Sequence, residues 1–214
     1  MDFGRNTPPA PMGAPAPMGA RPAVVSLSKG QKVSLSKVAP SLKNIMVGLG
    51  WDTNKYDGGN QFDLDASAFM CDSRGICEPS NFIFYNNLKG INGCVEHQGD
   101  NRTGEGEGDD EQILVKLDLV PDHIQKIAFT VTIFEAKERN QTFGHISNAF
   151  IRLVDNETGN EIIRYDLGED YSVETALVVG EVYKHNGEWK FNAIGAGFRD
   201  GLKGLCKNYG IDAE

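Results

Sequence analysis

Long apolar runs are missing from this 214-residue sequence. Nothing in it approaches the roughly 18 consecutive apolar residues of a membrane-spanning helix, so it does not read as an integral membrane protein. Basic residues are in short supply. Lys+Arg 21 against Asp+Glu 30 gives a net charge of −9, which argues against a nucleic-acid backbone as the main partner. Cysteine is sparse as well. Cys71, Cys77, Cys94 and Cys206 form no C-x-x-C pair and no regular spacing, which does not suit a disulfide scaffold. No apolar secretory segment opens the chain, and the expected compartment is the cytoplasm, with reduced thiols. Catalytic signatures are lacking too. His97, His123, His145 and His185 make no H-x-x-H or H-E-x-x-H pattern, and no G-x-S-x-G appears. The reading is therefore of a protein that is not an enzyme.

What the sequence does have is a hydrophobic fraction of 40%, enough for a real core. Proline is unevenly placed: six of the nine fall in residues 1–23, a Pro/Ala/Gly-rich stretch that reads as a flexible tether. Residues 24–214 read as one folded domain. Its pattern is mostly period two. KIAFTVTIF places Ile127, Phe129, Val131 and Ile133 on one face, and ILVKLDLV alternates from Ile113 to Leu119. Val25 and Leu27, then Val33 and Leu35, flank a Lys29-Gly30 turn and predict a hairpin. Further short strands are separated by Asp57-Gly58-Gly59, Asn92-Gly93, Thr158-Gly159 and Asn186-Gly187. The fold class expected is all-β, a β-sandwich of two mainly antiparallel sheets. Phe198, Leu202, Leu205 and Tyr209 recur at helical spacing ahead of Gly210, which predicts a short C-terminal helix packed on the sandwich. A weak internal similarity relates Ala68-Phe69, Asp72 and Gly75 to Ala149-Phe150, Asp155 and Gly159. Gly195, Gly197 and Gly201 miss dinucleotide-loop spacing by one place and read as close strand-to-helix packing.

The chemistry concentrates in GDNRTGEGEGDDE (99–111). Between Asp100 and Glu111 six carboxylates accompany one Arg, while Gly104, Gly106 and Gly108 let the backbone fold tightly. So many carboxylates repel one another unless a cation intervenes. An all-oxygen donor set without paired His or Cys suits calcium rather than zinc or copper. The plainer alternative is a solvated acidic loop. In FDLDAS, Asp63 and Asp65 share one strand face while Leu64, Ala66 and Ala68 take the buried one. Asp52 ends the preceding strand. The D-T-N-K-Y-D-G spacing is not that of an EF-hand, so a site here needs tertiary contacts. Residues 100–111 and 52–65 together hold eight of the nine net negative charges.

VSLSKGQKVSLSK, VGLGWDTN, FDLDASAF, GDNRTGEGEGDDE, FGHISNAFIRLVD, EIIRYDLGED, ETALVVGEVYKHNGEWKF and GFRDGLKGLCKNYGID together resemble the TerD family of tellurium-resistance and stress proteins, from about Val24 to Asp212. The resemblance implies a β-sandwich holding two calcium ions and no catalytic residues. It implies a cytoplasmic, calcium-dependent interaction module. The partners it implies are other stress and tellurium-resistance proteins, some in assemblies at the inner membrane. Its metal-binding positions correspond to Asp63, Asp65, Asp100, Asn101, Glu105, Glu107, Asp109, Asp110 and Glu111, with Asp52 added from the reading above. Glu107 departs from the Asp common at its place. An alternative, a small-ligand (cyclic nucleotide) binder or adaptor with structural calcium, goes with the Pro/Gly-rich head, although no basic phosphate pocket is legible.

Overall fold

The computed structural model describes residues 23–53, 62–99, 108–168 and 171–212. The Pro-rich stretch up to residue 22 and Asp57 lie outside them. Twelve strands are described: β1 (Val25–Leu27), β2 (Lys32–Ser34), β3 (Asn44–Thr53), β4 (Leu64–Cys71), β5 (Cys77–Ile83), β6 (Val95–His97), β7 (Glu111–Lys116), β8 (Lys126–Ile133), β9 (Ile146–Asp155), β10 (Glu161–Asp166), β11 (Ala176–His185) and β12 (Glu188–Phe198). Three short helices join them: α1 (Leu35–Val38), α2 (Ala136–Arg139) and α3 (Gly201–Asn208). The strands form two six-stranded sheets, the first ordered β1-β10-β9-β3-β7-β6 and the second β2-β12-β11-β8-β4-β5. All pairings are antiparallel except β1 with β10. The expected β-sandwich with a C-terminal helix is what the chain forms.

Period two explains which side chains meet between the sheets. Ile45, Val47, Leu49 and Trp51 from β3, with Ile113 and Val115 from β7, face Leu64, Ala66, Ala68 and Met70 from β4 and the Ile127–Ile133 series of β8 in one core. The second sheet is covered on its outer face as well. There Leu205 and Cys206 of α3, with Tyr209 just past its end, pack on Phe69, Cys71, Ala128 and Val178. This is why β4 and β11 read as almost continuous apolar runs, while β8 alternates its large apolar residues with small, buried Ala128, Thr130 and Thr132. Gly210, at φ 77°, ends the helix where the sequence placed its stop.

Two local expectations are corrected. β1 and β2 do not form a hairpin: β1 pairs with β10 in the first sheet and β2 with β12 in the second. Alternation fixes which face is apolar but not which strand is the partner. The turn at Gly30 is instead tied to β12, with Gly30 N–H donating to the Ala193 carbonyl at 2.7 Å. The strand through ILVKLDLV stops at Lys116, because residues 117–119 form a 3₁₀ turn that leaves Leu119 exposed. The two similar segments of the sequence occupy opposite sheets, as the β4–β5 and β9–β10 hairpins. Gly195 and Gly197 do allow close packing, but not against a helix: a Cβ at Gly195 would strike the Tyr165 and Tyr171 hydroxyls, and one at Gly197 the Glu174 side chain.

Candidate metal centre

Strand β3 positions the site. Leu49 and Trp51 point inward, so Gly48, Gly50 and Asp52 occupy the outer face of the first sheet. The two glycines leave room for what crosses them. A Cβ at Gly48 would fall on the Asp109 carboxylate. One at Gly50 would fall on the Phe150 ring and lie 2.8 Å from the Gly108 carbonyl oxygen. The chain leaving the acidic loop can therefore lie flat against β3. Asp110 docks there, its N–H donating to the Leu49 carbonyl at 2.8 Å and its Oδ2 accepting the Trp51 N–H at 2.8 Å.

The acidic side chains now separate by role. Asp109 is buried and held bidentately by Arg152, with Nε to Oδ1 at 2.6 Å and Nη2 to Oδ2 at 3.0 Å. Gln112 Nε2 adds a third donor at 3.1 Å. The remaining Arg152 nitrogen reaches Glu161 at 3.1 Å, and these two acids hold the guanidinium above its ordinary pKa, the Asp109 hydrogen bond foremost. Asp110 and Asp52 instead line a cavity of about 360 Å³, together with Asn148, Arg152 and Arg164. Asp52 Oδ2 accepts Asn148 Nδ2 at 2.7 Å. Burial, and then the charges of Asp52 and Asp109, push the Asp110 carboxyl above its ordinary 3.8 against the opposing Trp51 N–H.

Glu111 turns the other way, because it opens β7 on the same inward face as Ile113 and Val115. Its Oε2 accepts the buried Ala66 N–H at 2.6 Å. His97 completes the contact, with Nε2 3.1 Å from the Ala66 carbonyl and 3.3 Å from Glu111 Oε2. Gly99 N–H points at Nδ1 at 3.2 Å. A backbone N–H can only donate, so Nδ1 accepts and the neutral ring carries its proton on Nε2. The pair sits on the edge of β4 away from β8, at a point β5 does not reach, since β8 pairs along all of β4 while the β4–β5 register runs only from Ala68 to Cys71. It closes the seam between the sheets just before the acidic loop begins.

Asp65 is not brought to this place. It lines a separate cavity of about 540 Å³ on the outer face of the second sheet, with Thr132 and the start of α3. Asp63 precedes β4, and its carbonyl accepts the Phe134 N–H at 2.8 Å. Asp100, Asn101, Glu105 and Glu107 lie outside the described residues. Among the described residues no three His, Cys, Asp or Glu side chains gather as a metal-holding group. The donors that do meet at the loop base, Asp52 and Asp110 with the Asn148 amide beside them, are oxygen-bearing and suit a hard cation.

Sequence reasoning overlooked His97, Arg152 and Arg164. Their signal was alternation: Val95 and His97 face inward together in β6, and Arg152 and Arg164 stand directly opposite each other across β9 and β10. The cysteines are less scattered than the sequence suggests. Cys71, Cys77 and Cys206 share the core under α3, and all four thiols are free and buried. The Cys71 hydrogen bond and then burial raise the Cys77 thiol, and burial raises those of Cys94 and Cys206. Such thiols are held in their unreactive neutral form. No helix among the described residues is long and apolar enough to cross a membrane.

Residues 23–209 match the TerD domain model. The chain is 60% identical over 188 residues to the uncharacterized protein YceE of Bacillus subtilis (strain 168), covering 87% of this chain and 98% of that one. It is 58% identical over 188 residues to general stress protein 16U of the same organism, covering 87% and 97%. It is also 58% identical over 191 residues to the tellurium resistance protein TerD of Serratia marcescens, covering 89% and 99%. The crystal structure of a homologue of telluride resistance protein (TerD), SCO6318 from Streptomyces coelicolor A3(2), superposes with a TM-score of 0.57 at 24% identity, over 74% of this chain and 91% of that one. That likeness shows the same fold. The chain belongs to the TerD domain family of tellurium-resistance and stress-response proteins.

Proposed function

We propose that this protein binds calcium at the base of its acidic loop and acts, without catalysing a reaction, as a calcium-dependent interaction module in the cytoplasmic response to tellurite and other stress. The observation that carries the reading is that Asp52 and Asp110 line one cavity at the base of the acidic loop, where burial first, and then the charges of Asp52 and Asp109, hold the Asp110 carboxyl above its ordinary value. A divalent cation relieves that repulsion. Asp109 is already balanced by Arg152, so Asp110 and Asp52 are the described residues most suited to hold the ion. The loop acids Asp100, Glu105 and Glu107, with Asn101, are proposed as the remaining donors. Two ions would lower the net charge from −9 by four and convert the most acidic part of the surface into a docking surface for partner proteins.

Titration calorimetry of the intact protein against calcium tests this. Binding heat is expected, with a stabilisation of about 2.7 kcal/mol at a hundredfold excess over Kd. Asp52→Asn and Asp110→Asn should each weaken binding at least about tenfold. A parent protein that gives neither heat nor a thermal shift with calcium overturns the reading.

A further inference from the structure

The cavity beside Asp52 and Asp110 has a second wall of opposite charge. Arg152 and Arg164 are cross-strand neighbours on one face, and like charges directly opposite each other destabilise a sheet unless they are compensated. Each of the three Arg152 nitrogens already donates to Asp109 or Glu161. Arg164 is not so engaged. Its guanidinium lies over the Phe150 ring at 3.9 Å from the centroid, and only its Nε is bonded, to the exposed Asp166 at 2.8 Å. No hydrogen bond to its two terminal nitrogens is formed by any described residue. A planar fork has thus been fixed in orientation by an aromatic face and one carboxylate, on the wall of an open cavity, with its outer edge unbonded among the described residues. Fixing a guanidinium in advance lowers the ordering cost of binding, and its fork matches an oxyanion bidentately.

We infer that this cavity receives the phosphate group of a phosphate ester, held by Arg164 on one side and by the calcium-loaded acidic wall on the other. The inference rests on the calcium reading above. Without a cation, Asp52 and Asp110 repel an anion in the same space; with one, the wall they form reverses sign. A tetrahedral phosphate offers oxygens in several directions, so it faces the fork with two and the opposite wall with another. A carboxylate has only two, in one plane. Binding is therefore conditional on calcium and selective for phosphate over carboxylate.

The test uses the full chain and phenyl phosphate as the probe, with benzoate as the control, by calorimetry with saturating calcium and again with chelator. Phenyl phosphate should bind only with calcium, benzoate should not bind, and Arg164→Gln should weaken the phosphate at least about tenfold while calcium binding is unchanged. Arg164→Lys keeps the charge but not the fork. It should also lose most of the phosphate affinity, which keeps the test decisive if the Gln variant folds poorly. Vesicles of phosphatidylcholine carrying phosphatidic acid distinguish the source: calcium- and Arg164-dependent sedimentation assigns a lipid headgroup, and solution binding without sedimentation assigns a soluble ester. Calcium binding with no phosphate heat, phosphate binding equal with and without calcium, or full affinity in both Arg164 variants overturns this inference and leaves the calcium reading standing. Absence of calcium heat removes the calcium reading itself.

Discussion

At the scale of single residues, Glu111 shows how an acid in an acidic run can have a structural task. Its neighbours Asp109 and Asp110, ahead of the strand, lie on the outer side of β3, but Glu111 opens β7 on the same inward face as Ile113 and Val115 and accepts the Ala66 N–H at 2.6 Å beside His97. A buried N–H left without a partner costs about 1–3 kcal/mol, and more when the lost partner was charged. Glu111→Ala is therefore expected to destabilise the protein by about 2–4 kcal/mol in urea unfolding. Glu111→Gln keeps an acceptor oxygen and should cost about half as much. Both losses should appear in chelator as fully as in calcium. A loss seen only with calcium present would place Glu111 in the ion's coordination instead of the seam.

At the scale of elements, what could be read from the sequence was face, and what could not was partnership. Ile127, Phe129, Val131 and Ile133 declared the inward face of β8, and Leu205, with Tyr209 just past the helix end, the packed side of α3. The Lys29-Gly30 turn predicted a hairpin, but alternation carries no information on which edge a strand will join, and β1 and β2 went to different sheets. The same limit applied to the acids. Asp63 and Asp65 were legible as an acidic strand, yet Asp65 belongs to the outer face of the other sheet, away from Asp52 and Asp110. His97, Arg152 and Arg164 carried no motif because their contacts are long-range pairings between strands. Glycine spacing was equally silent: Gly48 looked like an ordinary strand residue, but the Asp109 carboxylate fills the space of its missing Cβ. Gly48→Ala is expected to push Asp109 off Arg152 and cost about 1–3 kcal/mol. Thermal unfolding measures this. Equal stability of variant and parent would show that the strand can yield at this crossing.

At the scale of the whole molecule, charge and stability are linked through pH. The net charge of −9 is concentrated in the two acidic windows, and Asp110 lies at their base with its carboxyl raised above 3.8, chiefly by burial. A group whose folded pKa exceeds its unfolded value binds its proton more tightly in the native state. Its stabilising contribution is complete below the unfolded value and is lost as pH rises through the folded one. In chelator, the stability of the parent relative to Asp110→Asn should therefore fall as pH rises above about 4. Asp72 behaves oppositely. Backbone and Arg74 hydrogen bonds lower its pKa, so its contribution is lost as pH falls, and taking the difference between parent and variant removes it. On the proposed calcium reading the sign at Asp110 would reverse, since a bound cation favours the ionised carboxyl and competes with the proton. The calcium-induced rise in melting temperature should accordingly grow between about pH 4 and pH 7, with protons released on binding at the acid end of that range. Melting curves of parent and Asp110→Asn, each with calcium and with chelator across those pH values, supply the measurement. A calcium shift of constant size, or identical chelator profiles for the two proteins, would show that Asp110 does not couple the cation to the fold.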